Sequence, residues 1–65
     1  MIQLTNQDSG KIMLINKKKI ITVEDVGFYR VVTYTVSNNS HYKMYASESV
    51  EEIKKKIEEE GDSNG

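Results

Sequence analysis

The stretch FYRVVTYTVSNNSHYKMYA, residues 28–46, carries the highest density of β-forming side chains in the chain. Valine, threonine and tyrosine are enriched in strands, and this stretch is rich in all three. The two adjacent asparagines within it tolerate the positive φ angles of a tight turn. The stretch therefore predicts a β-hairpin made of residues 28–37 and 40–46, and the rest of the fold is inferred outward from it.

A two-residue Asn-Asn turn sets the register of this hairpin. Val32 then lies opposite Tyr45, and Thr33 lies opposite Met44. Because alternate residues of a strand point to opposite faces, this register leaves apolar side chains on both faces of the hairpin. One helix cannot cover both faces, so we expect either a curled sheet or an apolar surface used by a partner.

Three further segments upstream of the hairpin have the character of strands. Residues 1–5 alternate apolar and polar side chains, and a polar loop ending at Gly10 separates them from KIMLIN, residues 11–16. KIMLIN is apolar on both faces and predicts a central strand. The β-branched run IITVEDV follows at residues 20–26. Together with the hairpin, these segments predict an antiparallel sheet of four or five strands, with a curled, barrel-like sheet as a variant.

Residues 49–60 predict a single C-terminal helix. Ser49 and Glu52 have the spacing of a capping box, in which each side chain accepts a hydrogen bond from the backbone of the other residue. Three apolar residues share one side of the helix and form a narrow stripe: Val50, Ile53 and Ile57. Twelve residues are marginal for an isolated helix in water. We therefore expect the stripe to be docked, either on the sheet as part of the core or in the groove of a partner.

These elements predict an α+β fold with one domain, residues 1–60, and a flexible polar tail, residues 61–65. A chain of 65 residues is small, and a domain near this length buries only about 60% of the surface that its unfolded form exposes. There is no cysteine, so no disulfide can compensate. Stability must come from close packing or from a partner, and self-association is an expectation from size alone.

The charge distribution bears on the class of partner. Residues 1–47 carry six basic and three acidic groups, a net charge of +3, whereas residues 48–65 carry three lysines and seven acids, a net charge of −4. The basic patch candidate is the run Lys17, Lys18 and Lys19, which could contact nucleic acid together with the tyrosines. The net charge of −1 and the lack of a paired aromatic RNA-binding motif argue against this interpretation. A nucleic-acid-binding β module is therefore kept as an alternative only.

Nothing in the sequence is typical of an enzyme. His41 lies beside the predicted turn, and we interpret it as an exposed strand residue. Glu24 and Asp25 are adjacent on a predicted strand, so they point to opposite faces and cannot share a substrate atom. A single histidine without cysteine argues against a structural zinc site, and no phosphate-binding glycine motif occurs. We expect no catalytic, cofactor-binding or metal-binding residues.

Several motifs spread over residues 1–60 resemble the small flagellar motility proteins of the FlbD/SwrD type. They are the opening MIQLT, Gly10 placed six residues before Asn16, N-x-x-x-I-x-x-V-E at 16–24, VTYT at 32–35 and ESVEEIKKKI at 48–57. The resemblance implies a non-enzymatic protein that supports motility through protein contacts near the flagellar stator. Two departures are Asn6, where the family often has a basic residue, and a hairpin longer than the family's.

Similar short proteins are also carried by phages and mobile elements. The alternative function is therefore a phage-encoded virion component or an inhibitor of a host factor. No apolar run approaches the roughly 20 residues that a membrane helix needs, and no signal-peptide core follows Met1. These features predict no membrane insertion and a cytoplasmic location, in a bacterial cell or as a phage product.

The predicted hairpin supplies the candidates for a partner interface. Five residues of its apolar area are left uncovered by a single helix: Tyr29, Val31, Tyr34, Tyr42 and Tyr45. Tyrosine suits an interface because its ring is buried while its hydroxyl stays in contact with water. Free edges of the sheet can also pair across a two-fold axis. We expect a protein partner and consider a homo-oligomer, with a tightly curled monomer as the alternative.

Overall fold

A computed structural model describes residues 1–37 and 39–61 as five strands and one α-helix. The elements are β1 (Ile2–Thr5), β2 (Ile12–Ile15), a 3-10 turn (Lys17–Lys19), β3 (Ile20–Asp25), β4 (Arg30–Ser37), β5 (Ser40–Ala46) and α1 (Val50–Gly61). The α+β fold with a C-terminal helix is confirmed. Residues 62–65 of the predicted tail and Asn38 of the predicted turn lie outside the described residues.

The strands form two antiparallel sheets, one of β1-β2 and one of β3-β4-β5. The prediction of a single sheet of four or five strands, with its barrel-like variant, is therefore wrong. The reason lies after β2, where the Asn16 side chain accepts from the Lys18 N–H at 3.0 Å and its carbonyl accepts from the Lys19 N–H at 2.8 Å. This turn redirects the chain, so β3 pairs with β4 and leaves β2 paired with β1 alone among the described residues.

Asn6 joins the two sheets and shapes the β1–β2 loop. Its side-chain oxygen accepts from the N–H groups of Asp8 at 2.9 Å and Ser9 at 3.0 Å, a local turn that asparagine favours. Gly10 completes the loop at φ +75°, a conformation that side chains disfavour. Asn6 also forms an isolated bridge with Ala46, which ties the end of β1 to the end of β5.

The β4–β5 hairpin follows the predicted register only at its tip, where Ser37 pairs with Ser40. The pairing is irregular between Thr35 and Ser37, because Val36 is an extra residue on β4. The Thr35 hydroxyl donates to the backbone carbonyls of Ser37 and Ser40, which replaces ladder bonding at this position. Alternation of apolar and polar residues does not signal such a bulge.

Beyond the bulge the register moves by one residue. Val32 lies opposite Met44, and Val31 lies opposite Tyr45. When the register shifts by one residue, each side chain of β4 shares a face with the other alternate set of β5 side chains. The hairpin is therefore more clearly two-sided than predicted, with Val32 and Met44 buried together. Four residues on the other face show its more polar character: Thr33, Thr35, His41 and Lys43.

The core lies between the two sheets and α1. Among the residues that the structure describes, seven side chains are buried: Ile2, Leu4, Ile15, Val32, Met44, Ala46 and Ile53. Ile53 has no exposed surface, and Ile57 packs against the core, whereas Val50 is 36% exposed. The inner part of the helix stripe thus contacts the protein's own core, and its outer part borders solvent.

Ser49 caps α1 as predicted from its spacing to Glu52, although the helix itself begins at Val50 and ends at Gly61. The Glu52 N–H donates to the Ser49 hydroxyl at 3.1 Å, and the Ser49 N–H donates to the Glu52 carboxylate at 3.4 Å.

We expect Ser49→Ala to lower the free energy of unfolding by about 1 kcal/mol, because a helix N–H loses its acceptor. Urea unfolding followed by circular dichroism measures this loss.

Ser47→Ala is the matched control for that substitution, since Ser47 lies before the cap, outside α1. Its free energy of unfolding should stay close to that of the parent protein. An equal loss in both variants would contradict a specific role of the Ser49 hydroxyl in starting the helix.

Candidate interaction surface

An open apolar groove of about 340 Å³ lies between β2 and the far end of β4. We call it the β2–β4 groove. Six apolar residues line it: Met1, Met13, Leu14, Ile15, Tyr34 and Val36. Asn16, Lys19 and Thr35 complete its lining. Apolar side chains therefore dominate a concave surface that is open to water.

The exposure of this groove follows from the uncovered outer face of the β1-β2 pair. Met13 faces the core side of the β1-β2 pair, opposite Leu4, while Leu14 points to the other side and is 61% exposed. Ile12 shares the face of Leu14 and is 62% exposed. A strand that is apolar on both faces, but covered on one, leaves such a strip in contact with water.

The bulge on β4 supplies the other wall. Val36 stands outside the regular pairing and is 62% exposed. Leu14 and Val36 meet in the same groove although they come from different sheets. Contiguous exposed apolar surface is unusual on soluble proteins and marks contact sites. The arrangement can bind apolar side chains of a partner.

The free edge of β2 adds main-chain groups to this surface. Within the described residues, β2 pairs with β1 and with no other strand. An edge strand presents unpaired N–H and C=O groups that a further strand can bind. The groove therefore lies beside a strand that has a hydrogen-bonding edge of its own.

The five predicted interface residues fall into two groups on opposite faces of the β3-β4-β5 sheet. Tyr34 and Tyr42 are cross-strand neighbours on the core-facing side, with ring centroids 6.1 Å apart. Val31 lies opposite Tyr45 on the other side, where Tyr29 packs edge-on against Tyr45 at 5.0 Å. One flat contact cannot include both groups. Tyr34 joins the β2–β4 groove, and the others do not line it.

The predicted basic patch is partly engaged within the protein. The Lys17 ammonium donates to the Ile57 carbonyl near the end of α1 at 3.3 Å. A cation at a helix C-terminus is favourable because the last carbonyls carry partial negative charge. Lys18 and Lys19 are exposed. The patch thus holds the helix end through one lysine and presents two lysines to solvent.

The other side chains considered for chemistry lie apart from one another. His41 is exposed and pairs with Thr35. Asp25 lies 3.7 Å from the Arg30 guanidinium, whereas Glu24 is exposed opposite Val31. Among the described residues, no group of three or more histidine, cysteine or acidic side chains is placed to hold a metal ion.

Sequence reasoning did not identify Met1, Leu14 and Val36 as members of a site. A usable signal was the apolar character of KIMLIN on both faces, which also suits an edge strand with an uncovered side. Val36 gave no such signal, because its exposure depends on the bulge. Phe28, which is 89% exposed at the β3–β4 turn, was also not identified. Single exposed apolar residues of this kind are common on protein surfaces.

No helix in residues 1–37 and 39–61 combines the length and apolar character needed to cross a membrane. Comparisons with protein-family models, curated proteins and solved structures found no significant match to this chain. The resemblance to the FlbD/SwrD-type proteins therefore rests on the motifs quoted above and stays a prediction.

Proposed function

We propose that this protein is a non-enzymatic interaction module that binds a protein partner through the β2–β4 groove. The observation that carries the proposal is the meeting of exposed Leu14 and Val36 beside the free edge of β2. Burial of apolar surface is the dominant favourable term in most protein–protein association. A concave apolar surface with a strand edge is suited to that task.

The geometry favours an extended segment of the partner. Such a segment can add to the edge of β2 through main-chain hydrogen bonds while every second side chain enters a pocket. Lys19 lies at the groove and would suit an acidic residue of the segment. The predicted ligand is thus a strand with alternating apolar side chains and an acidic residue at one end.

The flagellar setting of this proposal comes from the resemblance to FlbD/SwrD-type proteins, and it places the partner near the stator of a bacterial cell. The phage setting, as a virion component or an inhibitor of a host factor, is the second candidate. Neighbouring genes distinguish the two, since stator and hook genes favour the first and capsid and tail genes favour the second. The Lys17 ammonium donates to the Ile57 carbonyl at the end of α1, so it is less available to bind phosphate. This supports a protein partner over nucleic acid.

The proposal is tested in the bacterium that carries the gene. Deletion should reduce the swimming halo in soft agar, and a copy encoding Leu14→Lys should fail to restore it, because a buried ammonium in an apolar groove costs binding energy. Phe28→Lys is the matched control, since it adds the same charge at an exposed apolar position outside the groove. It should restore swimming at an equal protein level.

Two outcomes would contradict different parts of the proposal. Normal swimming after deletion would contradict the flagellar role. Full restoration by Leu14→Lys, with protein present at the level of the parent, would contradict use of the β2–β4 groove. A photo-crosslinking residue at Val36 identifies the partner directly, and Leu14→Lys should abolish that crosslink.

A further inference from the structure

A second apolar groove, of about 300 Å³, lies between α1 and β3. We call it the β3–α1 groove. Its lining consists of Val23, Val50, Ile53, Lys54, Ile57 and Glu58. It shares none of these residues with the β2–β4 groove. Whatever covers it therefore binds at a separate surface.

The helical side of this groove carries one basic and one acidic residue. Val50, Lys54 and Glu58 follow each other at four-residue spacing, so they form one row along α1. Ile57 and Val23 lie in the groove as partly buried apolar residues that pack against the core. The groove thus combines an apolar interior with a lysine and a glutamate one helical turn apart on its wall.

We propose that a second copy of this chain covers the β3–α1 groove around a two-fold axis. Such an axis sets the two α1 helices antiparallel and presents the same patch from both subunits. With the axis near Ile57, Lys54 of each copy faces Glu58 of the other copy. Two Lys54–Glu58 ion pairs therefore form between the copies, and the side chains of Val23 and Ile57 become covered.

The charges on the wall of the β3–α1 groove favour a second copy as its occupant. A patch with one lysine and one glutamate in a row is matched by the same patch turned through a two-fold axis, so a second copy supplies both complementary charges. Exposed Glu24 of β3 lies opposite Val31, on the face of the sheet away from α1, and takes no part in this contact.

Side chains, and not a continuous ladder, form this contact. The pairing of β3 with β4 shifts between Ile20 and Thr22, and such irregularities bend an edge strand away from regular pairing. The inference does not depend on the proposed function, because the β2–β4 grooves stay open in the dimer. A dimer would present two of them.

Sedimentation equilibrium of the full chain tests the dimer with charge-reversal variants. The parent protein should dimerise, with weaker association at high salt. Lys54→Glu should raise the dissociation constant about tenfold or more, because two opposite-charge contacts become two like-charge contacts. Glu58→Lys should do the same. The double variant Lys54→Glu with Glu58→Lys should restore dimerisation, since the two charges exchange places.

Mixing the two single variants gives the sharpest test. A Lys54→Glu subunit and a Glu58→Lys subunit have opposite charges at both contacts, so the equimolar mixture should associate more tightly than either variant alone. Circular dichroism checks that each variant keeps its helix. A parent protein that is monomeric at every concentration would overturn the proposal. So would folded single variants that dimerise like the parent, or a mixture no tighter than its components.

Discussion

Ile53→Ala is expected to unfold a large fraction of this protein. Ile53 of α1 is fully buried and belongs to a core of seven buried apolar residues within the described part of the chain. Truncation of a large core side chain to alanine costs about 2–5 kcal/mol, through lost burial and the cavity left behind. A domain of 65 residues has a total free energy of unfolding of roughly 3–10 kcal/mol at typical values per residue. The loss is comparable to the whole stability.

Thermal and urea unfolding followed by circular dichroism measure this effect. Ile12→Ala is the matched control, because it removes the same atoms from a side chain that is 62% exposed. It should cost less than about 1 kcal/mol, mainly through the lower strand preference of alanine. Equal stability of Ile53→Ala and the parent would mean that the helix stripe does not hold the core together.

The helix was predictable because its signals are local. The capping box depends on Ser49 and Glu52, three residues apart, and both hydrogen bonds are present. The periodic spacing of Ile53 and Ile57 indicated the side that faces the core. Nothing distant in sequence has to be known for these inferences.

The hairpin register was not predictable from the same kind of pattern. Alternation indicates which residues share a face, but it does not tell where an extra residue enters a strand. Here the bulge at Val36 depends on hydrogen bonds from the Thr35 hydroxyl to the Ser37 carbonyl on the same strand and to the Ser40 carbonyl across the turn. One residue thus changes which side chain faces Val32 and which residues form the β2–β4 groove.

The division into two sheets also depends on a local feature with a distant effect. Asn16 caps the short turn that separates β2 from β3. The apolar character of KIMLIN is equally compatible with a central strand and with an edge strand that has an uncovered face. The candidate groove was missed for this reason, since its exposed wall exists because one face of β2 is left uncovered.

A junction of polar groups joins β1, β4 and the segment before α1. Arg30 donates through Nε to the Glu48 carbonyl and through Nη2 to the Ser47 carbonyl, both at 2.7 Å. The Glu48 carboxylate accepts from the Thr5 N–H at 2.9 Å and from its hydroxyl at 2.8 Å. These bonds hold the corner at which the two sheets meet.

This junction makes the charge state of Glu48 a stability determinant. Burial raises the pKa of its carboxyl, but hydrogen bonds from Thr5 and from its own backbone, with the positive charge of Lys56, outweigh burial and hold the pKa below its ordinary value of 4.5. A carboxyl whose pKa is lower in the folded state than in the unfolded state contributes stability above the unfolded value. That contribution is lost as the pH falls through the folded value.

Glu48→Gln is therefore expected to destabilise the protein at neutral pH and to reduce its sensitivity to acid. Loss of the charged acceptor for two Thr5 donors should cost about 1–2 kcal/mol, the lower part of the range for hydrogen bonds to charged groups, because the site is only partly buried. The measurement is the free energy of urea unfolding at neutral pH and at a pH well below 4.5. Glu24→Gln, which neutralises an exposed carboxylate on β3, is the matched control.

The free energies of unfolding of the two variants should depend on pH in different ways. The difference between parent and Glu48→Gln should shrink as the pH is lowered, because protonation removes the same charge from the parent. Glu24→Gln should follow the parent at both pH values. A gap between Glu48→Gln and the parent that stays constant through acid pH would show that the carboxylate charge does not stabilise the junction, and the loss would then come from altered packing at the corner of the two sheets.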